Sequence, residues 1–341
     1  MKYVRLGRTG LKVSRIGLGG IPLQRPSESD AVKLIRHAID SGINLIDTSR
    51  GYGTSEERIG KAIKGYREDV ILVTRTWIAD NKVASEHLET SLKTLDTDYI
   101  DIWQFHNVSK EKYKIIMSQD GTYKIAKKAR EDGMIRFIGI TGHDIEVMKT
   151  AVKTEMFDVI LYPFNFVNND AESELVKLAE KHNVGFMAMK PFAGGRIKNI
   201  RLALKYLLNF DNIIPVPGVE RIEEVDENIS ITNTDYTLKK SEKREIRGIR
   251  KKLGQKFCQY CEYCISSCPQ EIPIPRVINL KISWELWPQE NFIEDRKEMV
   301  ERAKECLECG ACEEQCPYQL DIRHKLKEAI SFYNSKIPTN N

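Results

Sequence analysis

Cysteine is missing from the first three quarters of this chain: residues 1–257 contain none, and all eight lie beyond. Long apolar runs are also absent. No stretch approaches the ~20 apolar residues a membrane helix needs. The opening Met1-Lys2-Tyr3-Val4-Arg5 has no apolar core of the kind a signal peptide carries. These absences predict a cytoplasmic protein with no membrane partner and with reduced thiols, so the cysteines are expected to hold metal rather than form disulfides. Strong net charge is lacking too. A formal charge of +4 over 341 residues gives no footing for a nucleic-acid partner. One basic run, from Lys239 to Lys252, reads as a solvated helix, with docking of an acidic partner as the competing reading. The glycine fingerprint G-x-G-x-x-G is absent after the first predicted strand. That place reads Gly17-Leu18-Gly19-Gly20-Ile21-Pro22, which counts against a doubly wound nucleotide-binding sheet.

What is present before the cysteines is alternation. Short apolar runs at 15–19, 43–48, 70–75, 99–106, 135–141, 158–163, 184–190 and 212–217 read as strands, each followed by a helix-compatible segment. Over 30–41, for example, Ala31, Leu34, Ile35, Ala38 and Ile39 fall on one helical face. Thr54-Ser55-Glu56-Glu57 has the form of a capping box opening the second helix. Eight βα units predict an α/β fold, a (β/α)8 TIM barrel. Residues 3–14 read as a hairpin closing its floor. The expected division is a barrel over 1–238, a basic helical linker over 239–256 and a small cysteine-bearing domain over 257–341.

Cys258, Cys261, Cys264 and Cys268 precede Pro269; Cys306, Cys309, Cys312 and Cys316 precede Pro317. Both runs read C-x2-C-x2-C-x3-C-P, the spacing of bacterial four-iron–four-sulfur ferredoxins. Three cysteines on a tight loop reach three corners of a cubane, and the fourth is directed to the other cluster. Crossed ligation is therefore predicted: Cys258, Cys261, Cys264 and Cys316 for one [4Fe-4S] cluster; Cys306, Cys309, Cys312 and Cys268 for the other. Structural zinc is the competing occupant, but it seldom uses a third cysteine at this interval. The region resembles two-cluster ferredoxins over 257–320. The long segment between the motifs carries Trp284, Trp287 and helix-like stretches, so a helical ferredoxin-like domain is expected.

Active sites of such barrels lie at the C-terminal ends of the strands. Asp47 ends the second predicted strand, with Tyr52 on the loop beyond; Arg75 ends the third and His106 the fourth. This set suits carbonyl reduction. Tyr52 gives a proton to oxygen as hydride reaches carbon. A tyrosine titrates near ~10 and needs a nearby cation to release its proton, which Arg75, held by Asp47, supplies. His106 is placed to orient the carbonyl. Taken singly, a histidine at a strand end is more often structural, and an Asp–Arg pair more often a plain salt bridge.

The segment Asp47-Thr48-Ser49-Arg50-Gly51-Tyr52-Gly53-Thr54-Ser55-Glu56-Glu57-Arg58-Ile59-Gly60 resembles the D-T-x-x-x-Y-G-x-S-E-x-x-[LI]-G motif of aldo-keto reductases. Residues 98–106 and 133–140 carry further matches. With its cysteine tail the whole chain resembles iron–sulfur-bearing members of that family. The resemblance implies a nicotinamide cofactor, NADP(H) or NAD(H), and an Asp-Tyr-Lys-His tetrad. Asp47, Tyr52 and His106 match that tetrad, while its lysine position reads Arg75. The resemblance also implies cofactor contacts from Thr141, Asn165 and Lys190, and from Gly218 and Arg221 in the loop after strand eight. Glu227-Asn228 is similar to the adenine-contacting pair. Gly142 stands where the family often has Asn, Met189 where many members stack an aromatic, and Glu224 where many carry an arginine for the 2′-phosphate. Arg221 is the available substitute.

Two functions fit these residues. One is an NAD(P)H-dependent reductase of a small carbonyl compound, with Trp77, Asn107 and residues 108–121 as pocket liners. The other is an iron–sulfur electron-transfer protein that serves a redox partner, its barrel being a scaffold. Direct exchange between hydride and clusters would need a bridging flavin, for which no motif is present.

Overall fold

The computed structural model describes residues 1–76, 80–253, 257–258, 261–286 and 292–337; Trp77 and Trp287 lie outside the described residues. The chain separates into two compact units, Met1–Leu253 and Gly254–Asn341.

The first unit is built on strands β1 (Tyr3–Arg5), β2 (Lys12–Ser14), β3 (Leu18–Gly19), β4 (Leu45–Asp47), β5 (Ile71–Thr76), β6 (Ile100–Phe105), β7 (Ile135–Thr141), β8 (Val159–Pro163), β9 (Gly185–Met189) and β10 (Ile213–Pro215). Strands β3 to β10 pair in parallel, in chain order. A bridge between Gly19 and Gly218 rejoins the two edges, supported by the bond from Gly19 N–H to Pro217 O at 2.8 Å. The result is a closed (β/α)8 barrel, with the eight strands where the apolar runs predicted them.

Strand alternation sorts the side chains. Leu45, Val73, Ile102, Leu161, Met187 and Ile214 fill the lumen. Their neighbours Ile46 and Leu72 face outward and pack under the helical residues Leu34, Ile35, Ala38 and Ile59. Each such buried side chain contributes about 1.5–3 kcal/mol. The first long helix, Glu28–Asp40, is capped by Ser27, whose hydroxyl accepts from Asp30 N–H at 3.2 Å.

Antiparallel β1 and β2 form the predicted hairpin. Its Leu6, Leu11 and Val13 join the lumen cluster. Its Gly7, at φ +51°, lies so close to Gly185 that a Cβ would meet the Gly185 nitrogen at 2.3 Å.

Two local expectations differ from the structure. Thr54 precedes the helix Ser55–Ile63 but makes no side-chain cap. Ser55 is drawn inward to Thr48 and Gly20 O, and Glu57 pairs with Lys61 at 2.7 Å instead of reaching back. The basic run forms the helix Lys240–Leu253 and belongs to the first unit rather than to a linker. Buried Lys205 pairs with Glu242 at 2.7 Å, Arg250 donates to Phe166 O, and Ile246 is buried.

The second unit is helical where described: Ile274–Val277, Leu280–Leu286, Phe292–Lys304, Ala311–Glu314 and Ile322–Asn334. Cys258, Cys264 and Cys312 sit in its core with Ile272, Val277, Leu280, Phe292, Val300 and Leu326. Among the described residues no helix is long and apolar enough to cross a membrane.

Candidate functional site

The expected tetrad positions converge at the C-terminal ends of β4, β5 and β6. Arg75 points into the lumen and pairs with Asp47; the two are 2% and 6% exposed. Burial lifts the Asp47 carboxyl above its ordinary range, and contact with Arg75 offsets only part of that rise. For Arg75 burial acts downward, but Asp47 and Tyr52 outweigh it and hold the guanidinium above its ordinary range. That guanidinium lies 5.6 Å from the centre of the Tyr52 ring. Tyr52 in turn meets His106 edge-on, with ring centroids 5.9 Å apart.

Tight turns aim these groups. Tyr52 N–H donates to Ser49 O at 3.0 Å, and Ser55 N–H to Tyr52 O at 2.9 Å. Buried Glu56 pins the loop from below, pairing with Arg50 at 2.7 Å and accepting from the Thr74 hydroxyl at 2.7 Å. His106 is fixed by its backbone bond to Thr76 O at 2.7 Å, and its Nδ1 lies 3.4 Å from Ser49 Oγ. Burial, then Arg75, Lys112 and Lys190, push His106 well below the usual imidazole range, so it is neutral near pH 7.

The residues expected to meet a cofactor are less uniform. Thr141 is buried and accepts from Asn107 N–H at 3.0 Å. Asn165 is fully buried and committed to its own loop: Nδ2 donates to Lys190 O at 2.9 Å, and Oδ1 accepts from Val167 and Asn168 N–H at 2.8 Å each. Lys190 takes a left-handed backbone, φ 56°. Gly218 serves the barrel closure. Arg221 is tied to Glu224 at 2.8 Å. On the helix Ile222–Thr232, Glu227 is exposed while Asn228 is buried, so the pair does not face one way.

Three residues at the site escaped sequence reasoning. His143, two residues past the end of β7, is buried and pushed well below the imidazole range by burial, then by Lys190 and His106. Ser49 flanks His106. Gln104 alternates with Ile102 on β6, in register with Arg75 and Gly139. It is fully buried, and among the described residues neither atom of its amide has a partner; nor does Arg75 Nε. A Cβ at residue 139 would press to 2.7 Å from Gln104 Cγ, so the glycine makes room for this side chain. Strand alternation was the available signal for Gln104; for His143 it was proximity to a strand end.

In the second unit two cavities each meet four cysteines. One is lined by Cys268, Cys306, Cys309 and Cys312, the other by Cys258, Cys261, Cys264 and Cys316. The fourth cysteine of each motif thus lies with the first three of the other. Among the described residues no three potential ligands close on a point that would hold a single metal ion. Burial raises the Cys264 and Cys312 thiols, Cys312 to about 11, and neighbouring cysteines add to both shifts.

A model of the aldo/keto reductase family matches residues 15–202, more than half the chain. This chain belongs to the aldo/keto reductase family. A model of the 4Fe-4S dicluster domain matches residues 257–321. Aldo-keto reductase YhdN of Bacillus subtilis is 34% identical over 203 residues, 54% of this chain and 60% of that protein. The chain thus spans about three fifths of the length of this curated relative. Among solved structures, the holo form of aldo-keto reductase AKR11C1 from Bacillus halodurans superposes with a TM-score of 0.65 at 26% identity, covering 73% of this chain and 96% of that one. An aldo-keto reductase from Klebsiella pneumoniae in complex with NADPH gives 0.64 at 26% identity, covering 73% and 95%.

The family and the dicluster domain imply a dinucleotide and iron–sulfur clusters. Each cavity brings together four soft sulfur donors, the ligand set that a cubane cluster takes. Lys112 and Lys190 lie near enough to lower the His106 pKa, and cations so placed suit an anionic dinucleotide. Arg221, held by Glu224, offers less to a 2′-phosphate.

Proposed function

We propose that this chain is an NAD(P)H-dependent oxidoreductase that reduces a carbonyl compound, and that its second unit holds two [4Fe-4S] clusters. The observation that carries the first half is the convergence of Asp47, Tyr52, Arg75 and His106 at one end of the barrel. Crossed grouping of the eight cysteines supports the second.

A nicotinamide bound at the mouth would supply the hydride. Tyr52 donates its proton to the carbonyl oxygen as that oxygen gains charge. Arg75 favours the phenolate left behind, and Asp47 keeps the guanidinium in place without competing for the proton. His106, being neutral, can donate one hydrogen bond. Its Nδ1 lies 3.4 Å from Ser49 Oγ, and its protonated ring nitrogen is the group that would reach the carbonyl oxygen. Lys190 and Thr141 are the cofactor-side groups. Arginine in place of lysine keeps the charge but cannot itself give up a proton, so proton delivery falls to Tyr52 alone.

The second reading, an iron–sulfur electron carrier with the barrel as scaffold, draws on the full commitment of Asn165 and on the Arg221–Glu224 pair. Anaerobic titration of the cluster-loaded protein with NADPH and then NADH tests both. Nucleotide fluorescence reports binding, and visible absorbance reports cluster reduction. Binding of neither nucleotide would sink the reductase reading. Tyr52→Phe should lower carbonyl turnover about 10²–10⁴-fold and leave cluster electron transfer intact; Cys261→Ala should do the reverse.

A further inference from the structure

The two cysteine cavities are not equivalent. Around the first, Cys258, Cys261 and Cys264 are all buried, at 9%, 7% and 7% exposure. Around the second, only Cys312 is buried; Cys268 and Cys306 are half-buried and Cys309 is exposed. Leu307 lines that second cavity and is nevertheless 63% exposed, the most exposed of the large hydrophobic residues described. One residue thus both borders the space a cluster would fill and is open to solvent.

Charge around Leu307 is predominantly negative. Glu305 and Glu308 flank it in sequence, and Glu313 and Glu314 follow on the next helix. Glu308 is paired with Lys327 at 2.8 Å and Glu313 with Arg323 at 2.9 Å, so the carboxylates outnumber the cations. A cluster held by four thiolates is itself a net anion in both of its usual states, which deepens the negative field.

We propose that the cluster held by Cys268, Cys306, Cys309 and Cys312 is the port through which this protein exchanges single electrons with a basic redox protein docked on Leu307. This rests on the two-cluster reading above. An exposed ligand shortens the tunnelling distance to an outside partner. The apolar contact at Leu307 excludes water where the partner must come closest, and the carboxylate rim steers a cationic face towards it. One electron passes in each encounter, and no bond is made or broken. The cluster of Cys258, Cys261, Cys264 and Cys316, more deeply set, exchanges electrons with the partner only through its neighbour.

The test uses the holoprotein, reduced anaerobically and mixed in stopped flow with cytochrome c, a basic one-electron acceptor, or with a neutral quinone. Leu307→Lys should slow oxidation by cytochrome c about tenfold at low salt and leave the quinone rate unchanged. Glu305→Lys, outside the tight cysteine loop, should act in the same direction if the leucine variant loads poorly. Glu262→Lys places the same charge in the first motif, at the left-handed position equivalent to Gly310 (φ 67° against 80°), and should change neither rate. Hydrogen exchange should show protection of residues 305–310 by redox-inert zinc cytochrome c. Iron and sulfide content is measured first: fewer than two clusters overturns the underlying reading and the port with it. Two intact clusters with greater slowing by Glu262→Lys, equal slowing by both variants, or protection confined to 261–264 overturns the port alone.

Discussion

The Asp47–Arg75 pair carries an asymmetry that stability measurements can expose. Both side chains are buried, so removing either strands the other. Arginine cannot shed its proton near neutrality. Asp47→Leu should therefore cost about 3–5 kcal/mol, with little change between pH 5 and 8. Arg75→Met differs because a stranded carboxyl can take up a proton. Its cost is capped by the work of protonating an aspartate of ordinary pKa ~3.9, which is about 4 kcal/mol at pH 7 and about 1.5 kcal/mol at pH 5. The folded pKa of Asp47 is already raised in the parent by burial, and loss of Arg75 raises it further. The variant is then least destabilised at low pH and loses stability as pH rises, by up to about 1.4 kcal/mol per unit. Replacing both residues should recover most of either loss. Urea unfolding of the full chain, followed by circular dichroism at pH 5, 6, 7 and 8, measures each variant against the parent. The barrel's transition is the one these substitutions move. A cost for Arg75→Met that stays constant across pH would refute the reasoning, because the carboxylate would then be stabilised by something other than Arg75.

His106 and His143 bind no proton in the folded barrel near neutrality, and their folded pKa values are depressed. Stability from each is present above the unfolded value of ~6.5 and is lost as pH falls below it, approaching about 1.4 kcal/mol per pH unit. His143→Phe should reduce the acid slope of the barrel's urea midpoint by one histidine's share; an unchanged slope would contradict the assignment. Among the described residues Gln104 keeps two buried amide atoms without partners. Gln104→Met should therefore leave stability unchanged or raise it by about 1–3 kcal/mol, as read by thermal unfolding, whereas a loss of that size would mean that the amide is satisfied by an internal water. Removing iron should loosen the second unit, since Cys258, Cys264 and Cys312 stand in its core. Hydrogen exchange after chelation should rise across 261–334 and not across 100–230; an equal rise in both units would contradict the division.

The sequence by itself determined the barrel and the grouping of its cysteines along the chain. Short apolar runs at eight places with helical periodicity between them admit few other arrangements, because a strand buried on both faces reads as a continuous apolar run. Strand centres were legible to within a residue or two; ends were less so. The first strand was expected over 15–19, yet only Leu18–Gly19 keeps ladder pairing. Two tetrad positions, Asp47 and Arg75, could be placed on neighbouring strands from their spacing alone. Only the tertiary structure decided what each polar group spends its hydrogen bonds on. Asn165 turned inward to hold Lys190, Glu224 took Arg221, and Glu57 turned to Lys61 and left the cap open. Those choices depend on which groups chain closure brings within about 3 Å, and residue type does not encode that. The same holds for the cysteines. Two identical spacings do not tell the two sites apart, but packing buried three cysteines of one set and exposed Cys309 of the other. The spacing fixes which atoms can surround a cluster; the helices packed around them fix which cluster meets the solvent.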